Sequence, residues 1–142
     1  TAVCMLVKDY KAYITNCGDS RLYLFADGKL SQVTEDHSVV WEYYKQGYIT
    51  KDEIILSSRK NLITEAIGLG PSPKIDCYTI DLHDKFTFLL CSDGLTDVAT
   101  DSEIESVLHQ HPEPKQCVKA LYNLSQAHLT RDDVTVVVVS KT

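Results

Sequence analysis

The stretch Phe86-Thr-Phe-Leu-Leu-Cys-Ser-Asp-Gly-Leu-Thr-Asp97 frames the rest of the chain. Its first six residues are an apolar run of strand composition that halts at Ser92, Asp93 and Gly94, and a helix-start signal follows at Thr100. A strand that ends on an acid and a glycine presents a carboxylate at the rim of a sheet. Two other places repeat the arrangement. Residues 12–17 run into Gly18-Asp19-Ser20-Arg21, and Arg131-Asp132-Asp133 opens the run Val134-Thr-Val-Val-Val-Val139. The three acids Asp19, Asp93 and Asp132 are therefore expected to meet around a metal.

Before this stretch, residues 2–34 read as four short strands, 2–7, 10–17, 21–25 and 30–34, in an antiparallel meander. Asp27-Gly28 suits a primed turn that needs positive φ. Residues 39, 40, 43 and 44 recur at helical spacing before Gly47, and Thr50-Lys-Asp-Glu53 has capping-box spacing. Two short helices forming a surface insertion follow from that. Residues 75–82 and 86–91 read as a second hairpin around His83-Asp84-Lys85. After it, Thr100-Asp-Ser-Glu103 opens an amphipathic helix, apolar residues at 117, 118, 120, 121, 124 and 127 form another, and the near-continuous valine run reads as a central strand. Hairpins with helices outside any β-α-β crossover indicate an α+β fold with antiparallel sheets.

Composition excludes several classes. At 142 residues, 44% hydrophobic and 24% charged, the chain has the size and make-up of one globular domain. A net charge of −6 without Lys/Arg clusters argues against nucleic acid. No apolar run approaches a membrane span and the first residues lack a secretory layout, so a cytoplasmic location is expected. The five cysteines form no C-x-x-C pair and read as reduced core residues, and the Asn123-Leu-Ser125 sequon reads as chance. Trp41, Tyr43 and Tyr44, at helical spacing, read as core. His109 and His111, near a helix end and a proline, read as solvated and not as a metal pair. His37 reads as a capping or packing residue.

Carboxylates without His or Cys partners suit hard cations such as Mg²⁺ or Mn²⁺. Gly18 and Gly94 leave the adjacent backbone free to approach a ligand, with Ser92 and Asp133 beside the metal. Asp and Gly are also ordinary turn residues, and spacing alone does not separate the readings.

Cys17-Gly-Asp-Ser-Arg21, Leu30-Ser-Gln-Val-Thr-Glu-Asp-His-Ser38, Cys91-Ser-Asp-Gly-Leu-Thr-Asp97 and Arg131-Asp-Asp-Val-Thr-Val-Val-Val138 resemble, in order, signature blocks of the PP2C-type (PPM) metal-dependent serine/threonine protein phosphatases, most nearly the small bacterial members. The resemblance runs over nearly the whole chain. It implies part of an α-β-β-α sandwich with a metal centre at one edge, hydrolysing phosphoserine and phosphothreonine in proteins by a metal-activated water. By motif, Asp93 and Asp132 would be ligands of that centre and Asp19 would help hold an additional, weaker metal. Residues 36–60 would form the family's flap, and the substrates would be proteins phosphorylated by a serine/threonine kinase.

The family's Asp-Gly-x-Gly-Gly block and its phosphate-binding Arg are absent from these residues. The chain is therefore expected to be the C-terminal portion of a single phosphatase domain, inactive alone and able to self-associate through open sheet edges. Asp133 stands where Asn is usual and Glu65 where Arg is common. The competing expectation is a non-catalytic interaction module or pseudophosphatase fragment.

Overall fold

In the computed structural model, which describes residues 1–82 and 85–141, seven strands form two antiparallel sheets. The strands are β1 (Ala2–Lys8), β2 (Lys11–Cys17), β3 (Arg21–Ala26), β4 (Lys29–Gln32), β5 (Asp76–Asp81), β6 (Phe86–Cys91) and β7 (Val136–Lys141). The helices are α1 (Val39–Lys45), α2 (Lys51–Leu56), α3 (Asp93–Thr96), α4 (Asp101–Gln110) and α5 (Pro114–Ala127). One sheet has the order β1-β2-β5 and the other β4-β3-β6-β7.

The run 86–91 is apolar apart from Thr87 because β6 is covered on both faces. Phe88, with Phe86 and Leu90, packs between the sheets against Ala12, Ile14 and Leu22. Leu89 and Cys91 face the other way, onto Leu95, Ile104, Leu108, Cys117 and Leu121 of the helical layer. Burying each such large side chain contributes roughly 1.5–3 kcal/mol.

Several expectations from the sequence change. The first four strands are not one meander, because the chain leaves the first sheet at Gly18 (φ 109°) and β3 starts the second. β5 and β6 are not a hairpin: β5 adds to the edge of β2 and β6 to that of β3. His83 and Asp84 of the expected turn lie outside the described residues. β7 is an edge strand, whose Val136 and Val138 pack on the helices while Val137 and Val139 stay 48% and 37% exposed. Two of the cysteines, Cys4 and Cys77, are exposed and not core, although all five are free thiols.

The expected Asp27-Gly28 turn has positive φ at both residues (52° and 73°). A second such turn, Asp9-Tyr10 (49° and 58°), joins β1 to β2 one residue later than the expected break at Lys8-Asp9. Tyrosine carries no turn signal, so pairing of the strands imposes that conformation.

The helical layer lies against the β3-β6-β7 sheet. The opposite sheet turns outward a face on which Cys4, Leu6, Tyr13, Thr15, Cys77 and Thr79 sit side by side in register, with Lys8, Lys11 and Asp81 at its end. Both expected capping boxes form, Thr50 with Glu53 on α2 and Thr100 with Glu103 on α4. Helices α1 and α2 enclose a small core of their own, Val40, Trp41 and Ile54. Trp41 is buried as expected, whereas Tyr44 is exposed and Tyr43 only half-buried, because α1 is covered along one side alone.

Candidate metal centre

Three separate chain segments bring acids to one rim. Asp19 lies in the β2–β3 connection, which is clasped from behind by the segment leading into α1. The Gly18 N–H donates to His37 Nδ1 (3.2 Å), the His37 N–H donates to the Gly18 carbonyl (2.9 Å), and Asn16 Nδ2 donates to the carbonyls of Gly18 (3.2 Å) and Glu35 (2.9 Å). A backbone N–H can only donate, so His37 Nδ1 is the acceptor and Nε2 carries the proton shared with Asp76 Oδ2 at 2.9 Å. His37 is thus the packing residue the sequence suggested.

Asp93 is the first residue of α3, a single turn that the sequence did not announce and that follows Ser92 directly. Ser92 also ties the third segment in place. Its Oγ donates to the Asp133 carbonyl (3.2 Å) and accepts from the Thr135 N–H (3.0 Å), while Thr130 Oγ1 donates to the Gly94 carbonyl (2.9 Å). Gly94 makes the approach possible: a Cβ there would lie 2.3 Å from the Asp133 carbonyl oxygen. The space beside Gly94 is therefore taken by protein backbone, and that beside Gly18 by Thr1, not by a ligand as the sequence suggested. Asp132 Oδ1 accepts from the Asp133 N–H (2.8 Å), which fixes one oxygen of its carboxylate.

The acids feel one another. Burial, then Asp93, with smaller pushes from Asp36 and Asp97, raises the Asp19 carboxyl to about 6. Burial, then Asp97 and Asp132, raises Asp93. Asp97 was not singled out in the sequence, although it follows Asp93 by one helical turn in the same motif, a spacing that places two side chains on one face. Its N–H donates to the Asp93 carbonyl at 2.7 Å. Lys60, from the turn after α2, donates to the Asp97 carbonyl (3.0 Å) and pairs with its Oδ2 (3.3 Å). No local signal marks Lys60, because the contact crosses 37 residues. A cleft of about 500 Å³ opens here, lined by Lys60, Asn61, Asp97, Thr130, Arg131 and Asp132 among others.

An oxygen-only set of mutually repelling carboxylates fits a hard divalent cation in donor chemistry. Among the described residues, no three acid, His or Cys side chains converge tightly enough to form a ready-made metal-holding group. The rim thus carries an acidic field and single carboxylate donors from several segments.

The comparisons with known proteins bear on this rim. The profile of the family described as Stage II sporulation protein E (SpoIIE) matches residues 22–142, and that of Protein phosphatase 2C matches residues 1–42. This chain belongs to the SpoIIE/PP2C-type phosphatase family. It is 31% identical over 141 residues to the serine/threonine phosphatase stp of Listeria welshimeri, covering 99% of this chain and 56% of that protein. A bacterial serine phosphatase superimposes with a TM-score of 0.89 at 32% identity, over 99% of this chain and 57% of that one. The catalytic domain of PstP in complex with two manganese ions superimposes with a TM-score of 0.83 at 31% identity, over 98% and 56%. The chain thus spans little more than half the length of these relatives.

In this PP2C-type domain the block Thr34-Glu-Asp-His-Ser38 is a clamp. Thr34 Oγ1 accepts from the Leu22 N–H, His37 holds Gly18, and Ser38 caps α1. Asp36 takes both its oxygens to buried Arg21. Glu65, the departure noted above, accepts from the Lys74 N–H at 3.2 Å and closes the loop between them. His109 is not free in solvent: its ring lies edge-on to Phe25 and its Nε2 holds the Gly28 carbonyl at 2.8 Å.

Proposed function

We propose that this chain provides the acidic rim of a metal-dependent phosphatase acting on phosphoserine and phosphothreonine in proteins, with Asp93 and Asp132 as ligands of the main centre and Asp19 as a ligand of an additional cation. The observation that supports the reading is that Asp93 feels the charges of both Asp19 and Asp132, residues brought beside it from distant parts of the sequence. A bound Mn²⁺ or Mg²⁺ would supply water activation and neutralise phosphoryl charge. The chain's own part is to hold the carboxylates still: Ser92 and Gly94 dock Asp133, and the amide of Asp133 orients Asp132.

The substrates in this reading are proteins phosphorylated by a serine/threonine kinase, in the cytoplasm. These residues alone are inactive, since their donors are too few to close a two-cation centre. Residues 36–60 are the flap beside that centre. The uncharged part of the outer face of the β1-β2-β5 sheet and the open edge at β1 support self-association of this chain when it is made alone. No helix among the described residues is long and apolar enough to cross a membrane. The lack of a converged trio of ligands among the described residues favours a second reading, a non-catalytic interaction module.

Mn²⁺-dependent hydrolysis of a phosphothreonine peptide by the full-length gene product separates the two. Asp93→Asn should reduce it to background with the fold retained by circular dichroism. Undiminished turnover at saturating Mn²⁺ would remove Asp93 as a ligand, and no turnover in the parent would favour the interaction module.

A further inference from the structure

The insertion formed by α1, α2 and the turn to residue 61 is tied to the body in an uneven way. At its base the Val39 N–H donates to the Leu62 carbonyl (2.9 Å), the Thr64 N–H donates to the His37 carbonyl (2.8 Å), and Ser38 bridges Ile63. Away from the base, Lys45 of α1 pairs with Glu35 (2.8 Å) and the Arg21 guanidinium lies over Trp41, while two lysines reach the corner between α3 and α4. Lys51 Nζ, at the start of α2, donates to Asp101 Oδ2 at 2.6 Å and lies 5.6 Å from the Trp41 ring centre and 6.0 Å from that of Tyr23. Lys60 holds Asp97 through both its carbonyl and its carboxylate.

Asp97 and Asp101 flank the short break between α3 and α4, so both lysines grip one rigid corner of the body. That corner is anchored deeply: Asp101 Oδ1 accepts from the Tyr23 hydroxyl (3.0 Å), which accepts from Arg21 Nη1 (3.1 Å), which is paired with Asp36. The lysine side chains are only 30% and 27% exposed and the aspartates 39% and 25%, so both pairs are partly shielded from solvent. Lys60 and Asn61 also line the 500 Å³ cleft, together with Asp97, Thr130, Arg131 and Asp132. Arg131 is exposed in that cleft, beside Asp132.

We propose that Lys51 and Lys60 are a two-point latch that docks the insertion onto Asp101 and Asp97 and so sets the width of the cleft, which receives the peptide segment flanking the phosphorylated residue. Lys60 is a positioning residue in this scheme: it acts through the wall it places. The latch stands on the geometry alone, whereas its effect on peptide selection rests on the phosphatase reading above.

Amide hydrogen exchange of Val39–Lys45 and Lys51–Leu56 in the full-length gene product tests the latch without reference to activity. Lys60→Met and Asp97→Asn should each speed exchange in the insertion roughly three- to tenfold, the loss expected for one partly shielded ion pair. The double variant should go no further, Lys60→Arg should restore slow exchange, and β6 amides should not change. Lys51→Met should add its own increment to that of Lys60→Met. Unchanged exchange in Lys60→Met and Asp97→Asn, or fully additive effects of that pair, overturns the latch. With the latch established, Lys60→Met should raise KM for a phosphothreonine peptide more than KM for p-nitrophenyl phosphate. An equal change in both overturns the role in peptide selection, and absence of hydrolysis in the parent counts against the phosphatase reading while leaving the exchange result to decide the latch.

Discussion

Arg21 and Asp36 form a buried fork: Nε and Nη2 of the guanidinium reach both carboxylate oxygens of Asp36 at 2.7–3.0 Å, with the side chains only 9% and 5% exposed. The pair joins β3 to the segment leading into α1 and carries the Trp41 ring, 5.7 Å from the guanidinium carbon, on its other side. Removing one partner strands the other charge in the interior. Arg21→Met or Asp36→Asn should therefore lower unfolding stability by about 3–5 kcal/mol, and the double variant Arg21→Met/Asp36→Leu should recover much of the loss. Urea denaturation of the four proteins measures this; single variants within about 1 kcal/mol of the parent would count against a desolvated pair.

Gly94 tests the docking of the 130–135 segment. A methyl group there meets the Asp133 carbonyl oxygen at 2.3 Å and its carbon at 2.9 Å, and backbone cannot yield as a flexible side chain would. Gly94→Ala should cost about 1–3 kcal/mol. It should also weaken Mn²⁺ binding more than a surface substitution such as Lys115→Ala, because Asp132 moves with the displaced segment. Titration calorimetry with Mn²⁺ reads the second effect, and unchanged affinity would show that Asp132 is not held through Gly94.

Asp19 gives a pH dependence with a definite sign. Its carboxyl titrates at about 6 in the fold against an ordinary 3.8. Between those values the folded chain keeps a proton that the unfolded chain has lost, so the Asp19 contribution makes stability fall as pH rises from 3.8 to about 6 and stay lower above. In metal-free protein, Asp19→Asn should be more stable than the parent at neutral pH, with the difference shrinking as pH is lowered through that window. A difference that grows toward acid pH would reverse the assignment.

The thiols divide by position. Burial pushes Cys91 up to about 12 and Cys117 up to about 11, and both lie in the helical-layer core. Cys4 and Cys77 lie on the exposed outer face of the β1-β2-β5 sheet. In the monomeric chain, native alkylation at mildly alkaline pH should modify Cys4 and Cys77 rapidly and leave Cys91 and Cys117 to react only on unfolding, since the thiolate is the nucleophile. Peptide mapping by mass spectrometry reads the sites. Protection of Cys4 and Cys77 would indicate that this face is covered in solution, as self-association requires.

Local chemistry written into the chain was enough for the elements whose stabilising contacts lie within a few residues. The Asp27-Gly28 turn, the boxes at Thr50 and Thr100, and the strand over 86–91 all formed as expected, although the coverage of both faces of that strand was not foreseen. The ordered blocks around Asp19, Asp93 and Asp132 likewise pointed to the family that the comparisons support. Which strand joins which sheet was decided in three dimensions. β5 and β6 are neighbours in sequence, yet each adds to a different open edge, and β7 reads as central by its valines while it ends a sheet. Strand pairing depends on which edge is free, and periodicity carries no record of that. The same holds for Asp97, Lys60 and the Arg21–Asp36 fork. Their partners lie 37 and 15 residues away for the two ion pairs, and a charge acquires its role from the groups that folding places around it, not from its neighbours along the chain.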